Sequence, residues 1–159
     1  MTMPKIRAAL VDLASVVDML MRAYRSHVHG RRLPVPVTVS FCPRKQEVEV
    51  QPDGGADLAC NLGNVLLWAH TLADVTATWW RTNADRLHVS VRGRTAIGVR
   101  VLVYGGGEFA DCAGLVALDL GVTDGVSLDE LYALVCLLRE HQQQNGGQVA
   151  PDGVGKEVA

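Results

Sequence analysis

The side chains in this sequence that are able to do chemistry do not fall into a catalytic pattern. Serine, histidine and aspartate are present, but there is no Gly-x-Ser-x-Gly turn, and no cysteine has a recognisable histidine partner. His27 and His29 offer two imidazoles to a metal, but the sequence has no third ligand at a spacing that zinc sites use. We therefore predict no catalytic residue, no metal site and no cofactor, and interpret the protein as non-enzymatic.

A run of three glycines at positions 105–107 is a possible phosphate-binding motif, because glycine-rich loops expose backbone N–H groups. No helix start and no P-loop lysine follow this run. We predict instead that the glycines form a flexible turn after an edge strand.

Two further groups of polar residues have simple interpretations. Glu47 and Glu49 alternate with valines beside Lys45, which predicts a solvated strand edge that discourages aggregation. The four cysteines, at positions 42, 60, 112 and 136, form no short C-x-x-C pair, and we expect buried, reduced thiols and a cytoplasmic protein. The preference for Arg over Lys, with abundant Ala, Val and Gly, indicates a GC-rich genome of a bacterium, its phage or its plasmid.

The most informative polar residues lie where the sequence has the period of two that is typical of half-buried strands. Valines and leucines alternate with polar residues over 86–93 and 97–104, and residues 74–83 fit the same pattern. One face of this sheet should pack on helices, while the other displays aromatic and arginine side chains, which are enriched at protein interfaces. The predicted partner-binding residues are Trp80, His88, Arg92, Arg100, Leu102 and Tyr104.

An alternative site uses the positive charges of the first third of the chain. The formal net charge is -2, but this first part is basic and the remainder is acidic. Such a cluster is able to contact nucleic-acid phosphates, although the pI of 6.2 and the absence of a helix-turn-helix, RNP or zinc-finger signature argue against it. The residues of this alternative are Arg22, Arg25, Arg31, Arg32, Arg44 and Lys45.

The elements that position these residues follow from periodicity and capping signals. The sequence has 159 residues, of which 48% are hydrophobic, and this is enough for a single domain over 1–141, with a disordered tail over 142–159. Helices are predicted over 4–27, 57–72 and 127–142, the last two starting at the caps Asp57 and Ser127. The first helix has apolar residues at helical spacing, namely Ile6, Leu10, Leu13, Val17, Leu20 and Tyr24.

The expected fold is α+β, with the order α-ββ-α-βββ-(β)-α and helices covering one face of an antiparallel sheet. A hairpin over 35–42 and 47–51 precedes the three-stranded meander 74–83, 86–93 and 97–104, and 115–120 is a possible further strand. Apolar runs are too short to span a membrane. We expect a protein-binding or assembly module that binds a protein partner or self-associates as a homodimer, with nucleic-acid binding as the alternative.

Overall fold

The computed structural model describes residues 3–147, with side chains described from Asp12 onward. These residues form an α+β fold in the order α-ββ-α-βββ-β-α, as the sequence predicts. The helices are α1 (Met3–Val28), α2 (Leu58–Ala69) and α3 (Leu128–Gly146). The strands are β1 (Pro36–Cys42), β2 (Glu47–Pro52), β3 (Ala73–Arg81), β4 (Arg86–Arg94), β5 (Arg100–Glu108) and β6 (Thr123–Val126).

The six strands form one mixed, mostly antiparallel sheet in the order β1-β2-β5-β4-β3-β6. The predicted hairpin, β1 with β2, and the predicted meander, β3 to β5, are both present. They are joined by a parallel pairing of β2 with β5, in which Val48 lies opposite Val101. This pairing was not predicted, and it places β5 inside the sheet instead of at its edge. Pro36 begins β1, an edge strand, where its missing N–H is tolerated.

The core lies between the helices and one face of the sheet. Val89, Val91 and Val101 are buried on this face, as the alternation predicts, while Val99 remains partly exposed. Helix α2 packs directly on the sheet, and α3 packs against α2. The ring of Tyr24 in α1 stacks on that of Trp68 in α2, with 6.4 Å between centroids. Full burial of an aliphatic side chain such as Val89 contributes about 1.5–3 kcal/mol.

Strand β5 begins later than predicted. Thr95 and Gly98 form a tight turn, in which the Gly98 N–H donates to the Thr95 carbonyl, and Ile97 is 69% exposed. The predicted start at Ile97 is therefore wrong, and the strand runs from Arg100 to Glu108.

The glycine run belongs to this strand, so the predicted flexible turn is also wrong. Gly105 and Gly107 face α2, where an added Cβ would lie 2.9 Å from Cγ2 of Val65 and 3.2 Å from Cδ1 of Leu58, respectively. The small residues allow the helix to approach the strand closely. The packing of α2 on β5 thus explains these glycines.

The last strand and the last helix also differ from the prediction in position. Residues 115–120 form no ladder, and the further strand is β6, which pairs with the edge of β3 that β4 leaves free. Val116 and Leu118 are nevertheless buried, so their apolar character reflects core contacts and not strand pairing. Helix α3 continues to Gly146, four residues beyond its predicted end, and residues 148–159 of the predicted tail lie outside the described part of the chain.

The predicted helix caps are confirmed. The Asp57 carboxylate accepts a hydrogen bond of 2.7 Å from the Cys60 N–H, and Ser127 and Glu130 form a reciprocal capping box at the start of α3. Helix α2 ends at Ala69, earlier than its predicted end at Leu72.

The four cysteines are free thiols, but their burial differs. Cys112 is buried, Cys42 and Cys136 are partly exposed, and Cys60 is exposed, so the expectation of four buried thiols is wrong. Over residues 3–147, no helix combines the length and apolar character needed to cross a bilayer.

Candidate partner-binding face

The face of the sheet opposite the helices carries all six predicted partner-binding residues. Because side chains alternate along a strand, residues that pair with Trp80, Ser90 and Leu102 across strands share this face. We call it the open face. Its side chains are Thr38, Ser40 and Cys42 of β1; Glu47, Glu49 and Gln51 of β2; Arg100, Leu102 and Tyr104 of β5; Arg86, His88, Ser90, Arg92 and Arg94 of β4; and Thr76, Thr78 and Trp80 of β3.

Three rings stack across the middle strands of the open face. Trp80 and His88 are directly opposite each other on β3 and β4, with ring centroids 4.2 Å apart and planes at 23°. The His88 ring in turn lies 6.0 Å from that of Tyr104, at 10°. We call these residues the aromatic row. Mutual stacking holds the rings in place, and all three remain partly exposed, so a binding partner would find them already ordered.

The central ring of the aromatic row favours its neutral form. Burial between its neighbours, followed by the positive charge of Arg86, lowers the pKa of His88 below its usual value. Its Nδ1 atom is buried and has no hydrogen-bond partner among the described residues. The row is therefore an uncharged surface near neutral pH, which suits contact with apolar groups.

Gly106 gives the open face a depression beside the aromatic row. It lies directly opposite His88, and its lack of a side chain leaves a shallow cavity of about 260 Å³. A Cβ added here would lie less than 3.0 Å from the Leu87 carbonyl oxygen. Backbone contact with β4 therefore requires glycine at this position.

The other end of β4 and β5 carries a group of arginines. Arg94 and Arg100 are directly opposite each other, and Arg92 lies one step along the same face. Like charges placed opposite each other on a sheet are destabilising unless an anion offsets them. A nearby carboxylate is that of Glu47, whose Oε2 is 3.9 Å from Nε of Arg92.

Glu47 does not lie on a solvated edge, contrary to the prediction. Strand β2 is flanked by β1 and β5, and this internal position leaves Glu47 only 4% exposed. Its Oε1 atom has no hydrogen-bond partner in the described part of the chain. Burial of a carboxylate is costly without donors, so Arg92 is held near Glu47 by charge attraction.

The arginine group retains free hydrogen-bond donors. Arg94 donates to the Gly98 carbonyl at 3.1 Å and Arg100 to the Lys45 carbonyl, but each guanidinium has five N–H groups in all. Arg92, Arg94 and Arg100 line a shallow cavity of about 180 Å³ together with Glu47 and Asp74. This end of the open face is suited to binding a carboxylate through paired hydrogen bonds.

The six residues of the nucleic-acid alternative lie on α1, on the loop after it and on the turn between β1 and β2. Two of them already pair with carboxylates, since Arg22 lies 3.0 Å from Asp18 and Lys45 lies 3.1 Å from Glu49. Arg31 donates to the His27 carbonyl. The remaining three, Arg25, Arg32 and Arg44, are exposed.

The two histidines considered as metal ligands differ in environment. His27 is buried against Trp68, and its Nε2 lies 2.8 Å from Oγ1 of Thr71, whereas His29 is exposed. Over the described residues, no three His, Cys, Asp or Glu side chains come close enough together to hold a metal ion.

Sequence reasoning missed Glu47, Arg94 and Gly106 as members of the site. Arg94 lies two residues after Arg92, so extending the predicted strand 86–93 by one residue would have placed Arg94 on the same face. Glu47 and Gly106 were not detectable in this way, because the position of Glu47 depends on the pairing of β2 with β5, and that of Gly106 on the extension of β5 through the glycine run beside β4.

Comparison with protein-family models, with curated proteins and with solved structures found no match for this chain. A function for the protein therefore has to be argued from the geometry of the open face.

Proposed function

We propose that this protein is a non-enzymatic binding or assembly module that holds a protein partner on the open face of its sheet. The observation that carries the proposal is the aromatic row of Trp80, His88 and Tyr104, which is stacked, uncharged and still partly exposed. Ordered aromatic side chains supply much of the binding energy at protein interfaces. Leu102, next to Tyr104 on the same face, enlarges the apolar part of this surface.

The second part of the proposal concerns the charge of the partner. The arginine end of the open face, with Arg92 and Arg100, favours a partner that presents a carboxylate. Arg92 lies four positions after His88 on β4, a distance of about 13 Å along the strand. The partner segment should therefore present an apolar side chain and an acidic side chain about 13 Å apart.

The shape of the open face favours a protein over a small molecule. The cavities beside the aromatic row and at the arginine end, of about 260 and 180 Å³, are shallow and small compared with typical ligand pockets of about 300–1,000 Å³. A flat sheet surface is better covered by a second polypeptide, which excludes water from the aromatic row.

Affinity capture with the purified chain, followed by direct titration of the captured protein, tests this proposal. The double variant Trp80→Ala, Tyr104→Ala should lower the affinity at least about tenfold. The variant Arg100→Gln should also weaken binding, and it keeps Arg92 beside the buried carboxylate of Glu47. Tyr132→Ala, an exposed aromatic on α3, is the matched control and should bind like the wild type. Equal binding by all four proteins would refute the open face as the interface.

Nucleic-acid binding remains the alternative proposal, with less geometric support because of the ion pairs of Arg22 and Lys45. Gel shifts at low salt with duplex DNA, single-stranded DNA and RNA distinguish the two. Each phosphate contact on duplex DNA contributes a slope of about -0.9 in the dependence of log affinity on log salt. Loss of Arg31 and Arg32 should flatten that slope by about two units if this alternative is correct.

A further inference from the structure

Two cavities meet at Arg94 and Arg100, the last residue pair of the β4–β5 ladder. The first is the cavity of about 180 Å³ on the open face, which Glu47 also lines. The second, of about 340 Å³, is lined by the turn between β4 and β5 and by α1. Its apolar lining residues are Met19, Ile97 and Val99. A polar and an apolar cavity therefore share the same two arginines.

Glu47, Arg100 and Arg94 form one row across three neighbouring strands. Glu47 is directly opposite Arg100 in the pairing of β2 with β5, and Arg100 is directly opposite Arg94 in the pairing of β5 with β4. Neighbouring strands lie about 4.8 Å apart. One anionic acceptor and two cationic donors thus lie side by side on the open face.

The carboxylate of this row lacks a hydrogen-bond donor. Glu47 is 4% exposed, and the 3.9 Å between its Oε2 and Nε of Arg92 is too long for a hydrogen bond. Its Oε1 has no partner among the described residues. A buried carboxylate without donors is costly, so a ligand that brings an N–H group to Oε1 would gain from satisfying it.

The two arginines have the opposite requirement. Each already donates to a backbone carbonyl, Arg94 to that of Gly98 and Arg100 to that of Lys45, which holds both guanidinium groups in place. The remaining N–H groups of the guanidinium forks are able to bind a carboxylate. The row is therefore complementary to a ligand that carries an N–H donor next to a carboxylate.

The apolar cavity adds a third requirement, because Ile97 is 69% exposed and would gain from being covered by an apolar group. An N–H group, a carboxylate and an apolar side chain are joined to a single carbon atom in an α-amino acid residue with a free α-carboxylate. An internal Asp or Glu residue fits less well, since its side chain ends in the carboxylate and leaves no apolar group for the cavity.

We propose that the arginine end of the open face binds the C-terminal residue of the protein partner, and that this residue has an apolar side chain. Its α-carboxylate accepts hydrogen bonds from Arg94 and Arg100, its backbone N–H donates to Oε1 of Glu47, and its side chain contacts Ile97. One unpartnered acceptor matches the single N–H of a peptide group, whereas the ammonium of a free amino acid brings three N–H groups. This inference rests on the proposed function, because it names the source of the partner's carboxylate.

N-acetyl-L-leucine carries the three groups of such a chain end and is the first probe. Titration into the isotope-labelled full chain, followed by the NMR shifts of its amides, should give a dissociation constant of about 1 mM, as expected for so small a ligand. N-acetyl-L-leucinamide, which lacks the carboxylate, should bind at least about tenfold more weakly. No shifts with N-acetyl-L-leucine at about 20 mM, or equal binding of the two compounds, would overturn the proposal.

Substitutions and an ester analogue assign the roles within the site. The variant Arg94→Gln, Arg100→Gln should bind N-acetyl-L-leucine at least about tenfold more weakly, whereas Arg139→Gln, which replaces an exposed arginine on α3, should bind like the wild type. All three side chains are exposed, so the fold should persist, and thermal melting checks this. An analogue with an ester oxygen in place of the N–H should bind about fivefold more weakly, and equal binding would contradict the role of Glu47.

Two further measurements test the source of the ligand. L-leucine should bind more weakly than N-acetyl-L-leucine, and tighter binding would replace the chain end by a free amino acid. Deleting the last residue of the captured partner should weaken its binding at least about tenfold. If this deletion had no effect while Trp80→Ala, Tyr104→Ala still weakened capture, the open face would remain the interface and the C-terminal inference would fail. If N-acetyl-L-leucine bound as expected but the Trp80→Ala, Tyr104→Ala variant captured the partner normally, the proposal for the aromatic row would fail instead.

Discussion

Replacing Gly106 by alanine should destabilise the protein more than its small volume change implies. An ideal Cβ at this position lies less than 3.0 Å from the carbonyl oxygen of Leu87, 3.0 Å from the Leu87 carbonyl carbon and 3.1 Å from Cα of His88. All three atoms belong to the backbone of β4. A rotamer change cannot relieve this overlap, so the two strands have to separate locally.

The expected cost follows from the pairing that would be lost. Gly106 is paired with His88, and Gly107 with Leu87, in the centre of the sheet. Breaking about two backbone hydrogen bonds costs about 1 kcal/mol each, and leaving a buried donor or acceptor unpaired adds about 1–3 kcal/mol. We therefore expect the free energy of unfolding to fall by about 3–5 kcal/mol, which for a chain of this length lowers Tm by about 6–20 °C.

Urea denaturation and thermal melting measure this effect against a matched substitution. Gly125 also lies in a strand, β6, but a Cβ added there meets no atom within 4 Å. Gly125→Ala should be neutral or stabilising by up to about 1 kcal/mol, because alanine restricts the unfolded chain. If the two variants had the same stability, Gly106 would not be in close contact with β4, and the glycine run would be a turn after all.

Two other predictions concern titratable side chains. Burial raises the pKa of the Cys112 thiol to about 11. Alkylation under native conditions should therefore modify exposed Cys60 first and leave Cys112 unmodified until the protein unfolds, as mass spectrometry will show. Equal alkylation rates of the two thiols would contradict the structure. Burial, followed by the charge of Arg31, lowers the pKa of His27 in the folded state, so the unfolded state binds more protons. Stability contributed by neutral His27 is present above about pH 6.5 and lost as the pH falls below it. Chemical denaturation at about pH 7.5 and 5.5 measures how the free energy of unfolding depends on pH. This dependence should be weaker for His27→Gln than for the control His70→Gln, which alters an exposed histidine. Equal dependences in the two variants would exclude protonation of His27 as the cause of the stability loss at low pH.

Local patterns in the sequence were sufficient for most of the elements and for the composition of the site. The Ser127 and Glu130 pair fixes the start of α3, because the capping box is made by residues three positions apart. Alternation along β4 correctly separates buried Val89 and Val91 from exposed Arg92, since side chains of a strand point to opposite faces whatever the strand pairs with. The expected exposure of Ser90 is wrong, because this small side chain on the open face is only 7% exposed. The same alternation brought the six residues of the candidate site to one face.

Strand pairing and helix contacts, in contrast, were decided by the tertiary structure. Glu47 looked like a solvated residue because its neighbours are charged, but the parallel pairing of β2 with β5 buries it. Gly105 looked like part of a turn, but it pairs with Val89 inside the sheet, and Val65 of α2 packs closely on it. The local sequence determines the backbone dihedral preferences and the face of an element on which each side chain lies, because both depend on adjacent residues. Which strand lies beside which, and which helix covers it, depends on contacts between residues far apart in the chain, and only the folded core determines them.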